Sequence, residues 1–414
     1  MSAAGPPQGD RPLGGSGAQR RSGGAMSAAG PPQGDRPLGG AARSAVRGEL
    51  VCDAMTGTVM ITTGGTGGHI FPGLALAAEL TRRGWNVFWL GTRDGMEATL
   101  VPRHGVDFEG IAFGSVRGKG LRRLLLGPFA IMRACWQASR VLRRRKPNVV
   151  IGFGGFASFP GGLMAVARNT PFIVHNLDSK AGLANRVLAH GADRILTGFP
   201  GVLGEGRNSK VEWVGNPLRA EIVAVAPPET RLAGRSGPLN LLVIGGSLGA
   251  VALNECVPRA LALIAPEKRP RVTHQAGEKH HAALQAAYAA VGVTAECVPF
   301  IVDMGRRYAE ADLVIARSGA TTVAELSAVG IASVLVPYPH AADDHQLDNA
   351  RQMASRNAAV LILQRDLSPA GLAAWLQSVD RDQLMAMARA ARSLRKADAV
   401  DRVTQVCIDL GTRR

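Results

Sequence analysis

Five short segments gather the residues whose types and spacing could do chemistry, and each sits where an apolar run gives way to a helical pattern. The first is GGTGGH, residues 64–69. Glycines there let the backbone approach a ligand, and the helix that follows offers unpaired N–H groups to an anion. His69 closes the loop with an imidazole that titrates near neutral pH, which suits a general base; the alternative is a histidine that caps the helix start. A second glycine loop, GFGGFASFPGG at 152–162, contains Gly154 and Gly155. Two such loops in one half suggest a second phosphate-bearing group, the alternative being a tight turn with close helix packing.

The other three segments lie in the second half. GGSLGA (245–250) would hold a diphosphate through backbone N–H groups and the Ser247 hydroxyl. Arg219, in GNPLR just upstream, could add a fixed positive charge or lie as a plain surface arginine. RSGATTVAEL (317–326) places Ser318, Thr321 and Thr322 at a helix start. Glu325 follows within the first turns, where a carboxylate can accept both hydroxyls of a ribose; ordinary capping is the alternative. In PYPHAADDHQLDNA (337–350), Gln346 and Asn349 share a helix face at i and i+3 and suit sugar hydroxyls. Asp343 and Asp344 are adjacent, not on one face, so a metal site is not expected. Asp380-Arg381-Asp382, the lone DxD string, reads as a polar helix start.

The elements that must position these loops follow from alternation. Apolar runs beginning at TVMITT (58–63), NVFWLGT, NVVIG, PFIVHN and DRILTGF alternate with helical stretches, the first through Ala75–Arg83. A second series starts at LNLLVI (239–244) and continues through RVTHQ, AECVPFI, ADLVIA and ASVLVPY. Strand–helix alternation predicts parallel sheets covered by helices, with ligands at the carboxyl ends of the strands. Residues 215–228, rich in Pro and Ala, read as the linker between two doubly wound α/β domains facing a cleft. The first loop is not GxGxxG, and the next strand closes in Gly91-Thr92-Arg93 without an acidic ribose anchor. That argues against a dinucleotide cofactor.

A chain of 414 residues suits two domains. Its excess of 48 Lys/Arg over 32 Asp/Glu sits in the first half, where residues 114–146 carry ten basic residues and no acid. No helix-turn-helix, zinc finger or RNP signature accompanies them, so a nucleic-acid partner is not expected. Leu124, Leu125, Leu126, Phe129, Ile131 and Trp136 interleave with the arginines, as in a basic amphipathic helix lying on anionic lipid; the alternative is a helix packed in the N-terminal domain with a solvated basic face. The uncharged run 236–254 is broken by Gly-Gly-Ser and falls short of the roughly 18 apolar residues a span needs. Residues 1–15 recur unchanged at 26–40, so 1–55 are expected to be a disordered tail without a secretory h-region. Five cysteines (Cys52, Cys135, Cys256, Cys297, Cys407) show no CxxC spacing, which favours a reducing compartment.

GGTGGH, GNPLR, GGSLGA, RSGATTVAE and DHQLDNA, in this order over about 58–405, resemble the MurG family of UDP-N-acetylglucosamine–N-acetylmuramyl-(pentapeptide) pyrophosphoryl-undecaprenol N-acetylglucosaminyltransferases. The resemblance implies a GT-B fold of two Rossmann-like domains working without metal or cofactor in peptidoglycan synthesis, at the cytoplasmic face of the inner membrane. It places an acceptor and membrane domain at 56–217, completed by a final helix at 395–414, and a UDP-GlcNAc domain at 218–394. Donor contacts carry over onto Thr66, Gly67, Gly68, Asp178, Arg219, Ser247, Ile301, Ala320, Thr321, Thr322, Val323, Ala324, Glu325 and Gln346, with Asn349 beside them. Gly154, Gly155 and His175 fall to the acceptor, lipid I.

Where members carry HEQN this chain reads HNLD, 175–178, and the Gln of GGSQGA is Leu248. Asn176 thus stands for a glutamate. Asp178 stands for a donor-contacting asparagine and adds a carboxylate near a diphosphate. The expected reaction is direct displacement: the acceptor 4-hydroxyl, deprotonated by His69, attacks the anomeric carbon opposite UDP. The Ser247 loop and Arg219 would steady the leaving diphosphate, Glu325 the ribose and the Ile301 backbone the uracil. Competing readings are a UDP-GlcNAc 2-epimerase, a catalytically weak UDP-sugar-binding relative and, with least support, an NAD-dependent oxidoreductase.

Overall fold

The computed structural model describes residues 57–113, 121–246, 249–341 and 344–413, with backbone alone for 121–126. The tail with its repeat, Ser247, Leu248 and Asp343 lie outside the described residues. The first half runs β1 (Thr58–Thr62), α1 (Gly67–Arg82), β2 (Asn86–Thr92), α2 (Glu97–Arg103), β3 (Asp107–Ile111), α3 (Leu121–Arg145) and β4 (Val149–Gly152). It continues through α4 (Ser158–Ala167), β5 (Phe172–Asn176), α5 (Leu183–Ala189), β6 (Arg194–Thr197) and β7 (Val211–Trp213). Two short helices follow, α6 (Ala220–Val223) and α7 (Pro228–Arg231).

The second half runs β8 (Asn240–Ile244), α8 (Val251–Ala262), β9 (Arg271–Gln275), α9 (His281–Ala290), β10 (Glu296–Val298), α10 (Met304–Glu310) and β11 (Leu313–Ala316). After it come α11 (Ala320–Val329), β12 (Ala332–Leu335), α12 (His345–Ala354) and β13 (Ala359–Leu361). The chain ends in α13 (Pro369–Ser378), α14 (Arg381–Ser393) and α15 (Ala399–Gly411). Seven strands form one parallel sheet in the order β3-β2-β1-β4-β5-β6-β7, and six form another in the order β10-β9-β8-β11-β12-β13. Both have the doubly wound order, whose direction reverses between β1 and β4 and between β8 and β11.

Alternation along the strands sorts the core. Val59 and Ile61 face one apolar cluster while Met60 faces another. In the second sheet Leu242 and Ile244 join that same first cluster, whereas Leu241 and Val243 turn to a separate one. One continuous core therefore runs from the inner face of one sheet to the inner face of the other, and both belong to one compact body.

Three strands escape a reading based on apolar runs: β3, β7 and β13. All lie at sheet edges and are short or polar; DFEGI of β3 carries two acids. Those acids meet Arg144 and Arg145 of α3, at 2.7 Å from Glu109 and Asp107 respectively, so part of the basic run is neutralised at the sheet edge. The stretch read as a linker is packed. It carries α6 and α7 and buries Leu218, Ile222 and Val225. Helix α1 also starts earlier than its apolar pattern, at Gly67, because Thr66 is extended (φ −101°, ψ 164°) and the next residues turn at once.

The chain crosses between the sheets a second time after α14, and α15 lies against α1, β1 and β4 of the first sheet. Trp85 marks this seam: it is buried, and the backbones of Gly57 and Gly411 press on its ring so closely that neither position has room for a Cβ. Trp85→Ala should cost roughly 3–5 kcal/mol, the scale for deleting a buried aromatic ring. Denaturant unfolding measures this, and a loss below about 1 kcal/mol would show that α15 is not held by this contact.

Candidate active site

Doubly wound sheets offer ligands the crevice where strand order reverses, and all four strands at the two reversals lead into the glycine- and hydroxyl-rich segments. After β1, Gly65 has φ +119°, and Gly64 has no room for a Cβ against Glu97 and Ala157. Glu97 is fully buried and accepts from Thr92 N (2.9 Å), Thr92 Oγ1 (2.6 Å) and Gly65 N (3.3 Å), tying the loop to the end of β2. After β4, Gly154 and Gly155 have φ +85° and +76°, and a Cβ on Gly155 would collide with the Gly64 carbonyl. Only glycine lets these loops touch backbone to backbone.

The two loops floor a cleft of about 690 Å³. Phe113, Phe153, Phe156 and Phe159 give it an apolar wall, the segment after β5 supplies Asp178 and Lys180, and His345 of α12 closes it from the other half. His69, in the first turn of α1, opens onto this space. Burial lowers its pKa, Asp178 raises it and His345 lowers it, with burial dominant. The ring is therefore mainly neutral at pH 7, and its buried Nδ1 has no hydrogen-bond partner among the described residues.

Across the cleft floor the first turns of α1 and α11 meet. Thr321 Oγ1 donates to the Gly68 carbonyl at 2.5 Å, joining Thr66–Gly68 to Ala320–Thr322. Two helix N-termini side by side present unpaired N–H groups and two positive dipole ends, a strong anion site. Beside them Arg219 stacks 4.7 Å over Phe71 and pairs with Glu221 (3.0 Å) and Glu325 (3.3 Å). Glu325 is buried, accepts from Tyr308 Oη at 3.0 Å and has its pKa raised by burial. The arginine and the glutamate, expected to serve different parts of a ligand, are thus brought together. Val323 and Ala324 line a smaller cavity at the crossing between the halves. Ile301 is buried at the end of β10, between exposed Phe300 and Val302. Gln346 opens α12, with its Oε1 accepting from Tyr338 N at 2.9 Å and its carbonyl from Ser318 Oγ at 2.8 Å.

Two residues expected to contact substrate are held inside the protein. His175 is fully buried and absent from the cleft wall: its ring packs 5.1 Å from Phe153, and Nε2–H donates to the Gly215 carbonyl at 3.1 Å. Asn349 is also fully buried, and its amide is engaged by Asp178 Oδ1 (3.0 Å), Ser318 O (3.1 Å) and Ser179 N (2.9 Å), so it joins the halves. Glu97 and Tyr308 went unforeseen. Gly95 ahead of Glu97 hints at a tight approach, whereas nothing local marks Tyr308.

The N-terminal domain of glycosyltransferase family 28 matches residues 59–197, and the C-terminal domain of the same family matches 240–403. A UDP-N-acetylglucosamine–N-acetylmuramyl-(pentapeptide) pyrophosphoryl-undecaprenol N-acetylglucosamine transferase of Burkholderia thailandensis is 55% identical over 354 residues, covering 84% of this chain and 95% of its own. The crystal structure of Acinetobacter baumannii MurG is 36% identical with TM-score 0.71, covering 84% of this chain and 99% of its own. The chain belongs to the MurG family. A UDP-N-acetylglucosamine 2-epimerase, 15% identical with TM-score 0.58 over 87% of this chain and 97% of its own, shares the fold alone.

Against the MurG family's HEQN, the HNLD turn is internally satisfied. Asn176 Nδ2 donates to the Asp178 carbonyl at 2.6 Å and its Oδ1 accepts from Asn185 at 2.9 Å. His175 carries a pH signature. Burial lowers its pKa to about 4 and that of His274 to about 3, so the folded protein holds both neutral where the unfolded chain protonates them. Stability from these groups is complete above pH 6.5 and is lost on acidification, at roughly 1.4 kcal/mol per pH unit for each. Urea unfolding between pH 7 and 5 should show this slope, and His175→Gln should remove His175's share of it.

Proposed function

We propose that this chain transfers GlcNAc from UDP-GlcNAc to the 4-hydroxyl of the MurNAc unit of undecaprenyl-diphosphate-linked muramyl pentapeptide, converting lipid I to lipid II. The observation that carries the reading is the meeting of the α1 and α11 N-termini beside a neutral His69 and an apolar cleft. Membership of the MurG family supports the choice of substrates. In this reading residues 56–217 with 395–414 hold the acceptor, and 218–394 hold the donor. The diphosphate lies on Thr66, Gly67, Gly68 and the start of α11, with Arg219 beside it; the sequence motif assigns Ser247, outside the described residues, to the same group. Ile301 takes the uracil, Glu325 the ribose and Gln346 the sugar, while Gly154 and Gly155 line the acceptor side.

The chemistry is one displacement. His69 takes the proton of the acceptor 4-hydroxyl, that oxygen bonds to the anomeric carbon, and the carbon–diphosphate bond breaks with its electron pair leaving on UDP. Helix N-termini and Arg219 meet the charge that develops on the leaving group, and the phenylalanine wall keeps water from competing. His69→Ala should lower kcat by about 100-fold or more in an assay that follows UDP release and disaccharide mass with a short-chain lipid I analogue. Product formed equally well in EDTA is the expected sign that these groups do the work without a metal. Survival of the rate in His69→Ala would remove the histidine from proton transfer.

A membrane surface completes the proposal. On α3, Phe129, Met132 and Trp136 are exposed at 65%, 61% and 55%, spaced along one face, with Arg133, Arg140 and Arg143 exposed beside them. Arg140 stacks 4.9 Å from the Trp136 ring. No helix among the described residues is long and apolar enough to cross a bilayer, and this face suits peripheral binding to the anionic cytoplasmic side of the inner membrane. Co-sedimentation should favour anionic over neutral vesicles, and Phe129→Ala/Trp136→Ala should weaken it at least tenfold. Equal binding to both vesicle types would refute the surface.

A further inference from the structure

The cleft wall of this chain carries a carboxylate, Asp178, where the family pattern has an amide, and its surroundings give that carboxylate a use. His69 and Asp178 line the same cavity, close enough for the carboxylate's charge to favour the protonated imidazole. Asp178 is anchored rather than free: Oδ1 accepts from Asn349 Nδ2 at 3.0 Å, and the same amide holds Ser179 N at 2.9 Å and Ser318 O at 3.1 Å. The neighbouring Lys180 reaches across to Asp348 at 2.5 Å. Three consecutive residues after β5 are thereby fastened to α12 and to the segment that leads into α11.

We propose that Asp178 is a positioning residue for His69: a carboxylate fixed through Asn349 to the opposite half of the molecule, which sets the charge balance of the imidazole when the two halves are together. The proposal rests on His69 being the base of the transfer reaction for its catalytic meaning, though not for its charge coupling. The titratable groups on the cleft wall are His69 on α1, Asp178 and Lys180 after β5 and His345 on α12, while Glu97 of α2 lies beneath the glycine loop. Burial and His345 push His69 toward a weak base, and Asp178 is the group that opposes them. The anchor also explains how a carboxylate can be kept beside a diphosphate site: Asn349 donates to it and holds it at the His69 side of the cleft.

The sign of the effect is fixed. Removing the negative charge disfavours imidazolium, so His69 should titrate at lower pH in Asp178→Asn, an isosteric change. The test is an NMR titration of the full chain with 13C-labelled histidine, the His69 signal assigned by its loss in His69→Gln. Its midpoint should fall by about one pH unit in Asp178→Asn, the scale for a nearby opposite charge. The acid limb of kcat/KM with UDP-GlcNAc and a lipid I analogue should move the same way, and kcat on the plateau should drop about tenfold. An unchanged His69 midpoint overturns the proposal, as does a variant whose only change is a lower KM for UDP-GlcNAc, which would make Asp178 a mere source of repulsion. If the wild-type chain forms no disaccharide, the transfer reading falls, while the midpoint comparison still decides whether Asp178 governs His69.

Discussion

The hydrogen bond from Thr321 to the Gly68 carbonyl is small, yet the site depends on the approach it records. Two helices from different sheets meet at their first turns, where the Gly68 carbonyl is within reach of the Thr321 hydroxyl. The meeting sets two dipole ends side by side, and it brings His69, one residue on, to the edge of the apolar cleft. Beneath it the constraint is steric. Gly64 and Gly155 touch through backbone atoms, and Glu97 from below fixes the loop that leads into α1. A side chain at Gly64 or Gly155 would push the two loops apart.

Around this contact the buried charges are arranged so that each has a partner. An isolated carboxylate as deeply buried as Glu325 would be costly, and Arg219 and Tyr308 offset that cost from two other elements. Burial still dominates its pKa, which rises, so a ligand that offers hydroxyls to Glu325 replaces interactions already in place. The same holds for the HNLD turn. Asn176 satisfies the turn internally, and Asp178 is met by Asn349, so a departure that looks damaging in the one-dimensional pattern is accommodated by hydrogen bonds from α12.

The two halves are also joined apolar side to apolar side. Alternate residues of β1 and β8 feed one shared cluster, and α15 returns across the first sheet to cover Trp85. The stretch between β7 and β8 takes part in this packing through Leu218, Ile222 and Val225. Composition alone suggested a linker there, since Pro and Ala mark a break in periodicity without saying what the apolar residues between them touch.

What the sequence determined by itself is local and repetitive. Continuous apolar runs marked the central strands, turn glycines marked the strand ends, and hydroxyl-rich segments marked helix starts, because each depends on neighbours within a few residues. The edge strands β3, β7 and β13 were illegible for the same reason, as their stability comes from pairing on one side and not from their own apolarity. Tertiary structure alone decided the partners. Arg219 meets Glu325 across 106 residues, Asp178 meets Asn349 across 171 and Gly68 meets Thr321 across 253. It also turned His175 inward, toward the Gly215 carbonyl, because a strand residue's face is set by the sheet it joins and by what covers that sheet. Residue types fixed which chemistry was available; the packing of one sheet against the other fixed which residues could carry it.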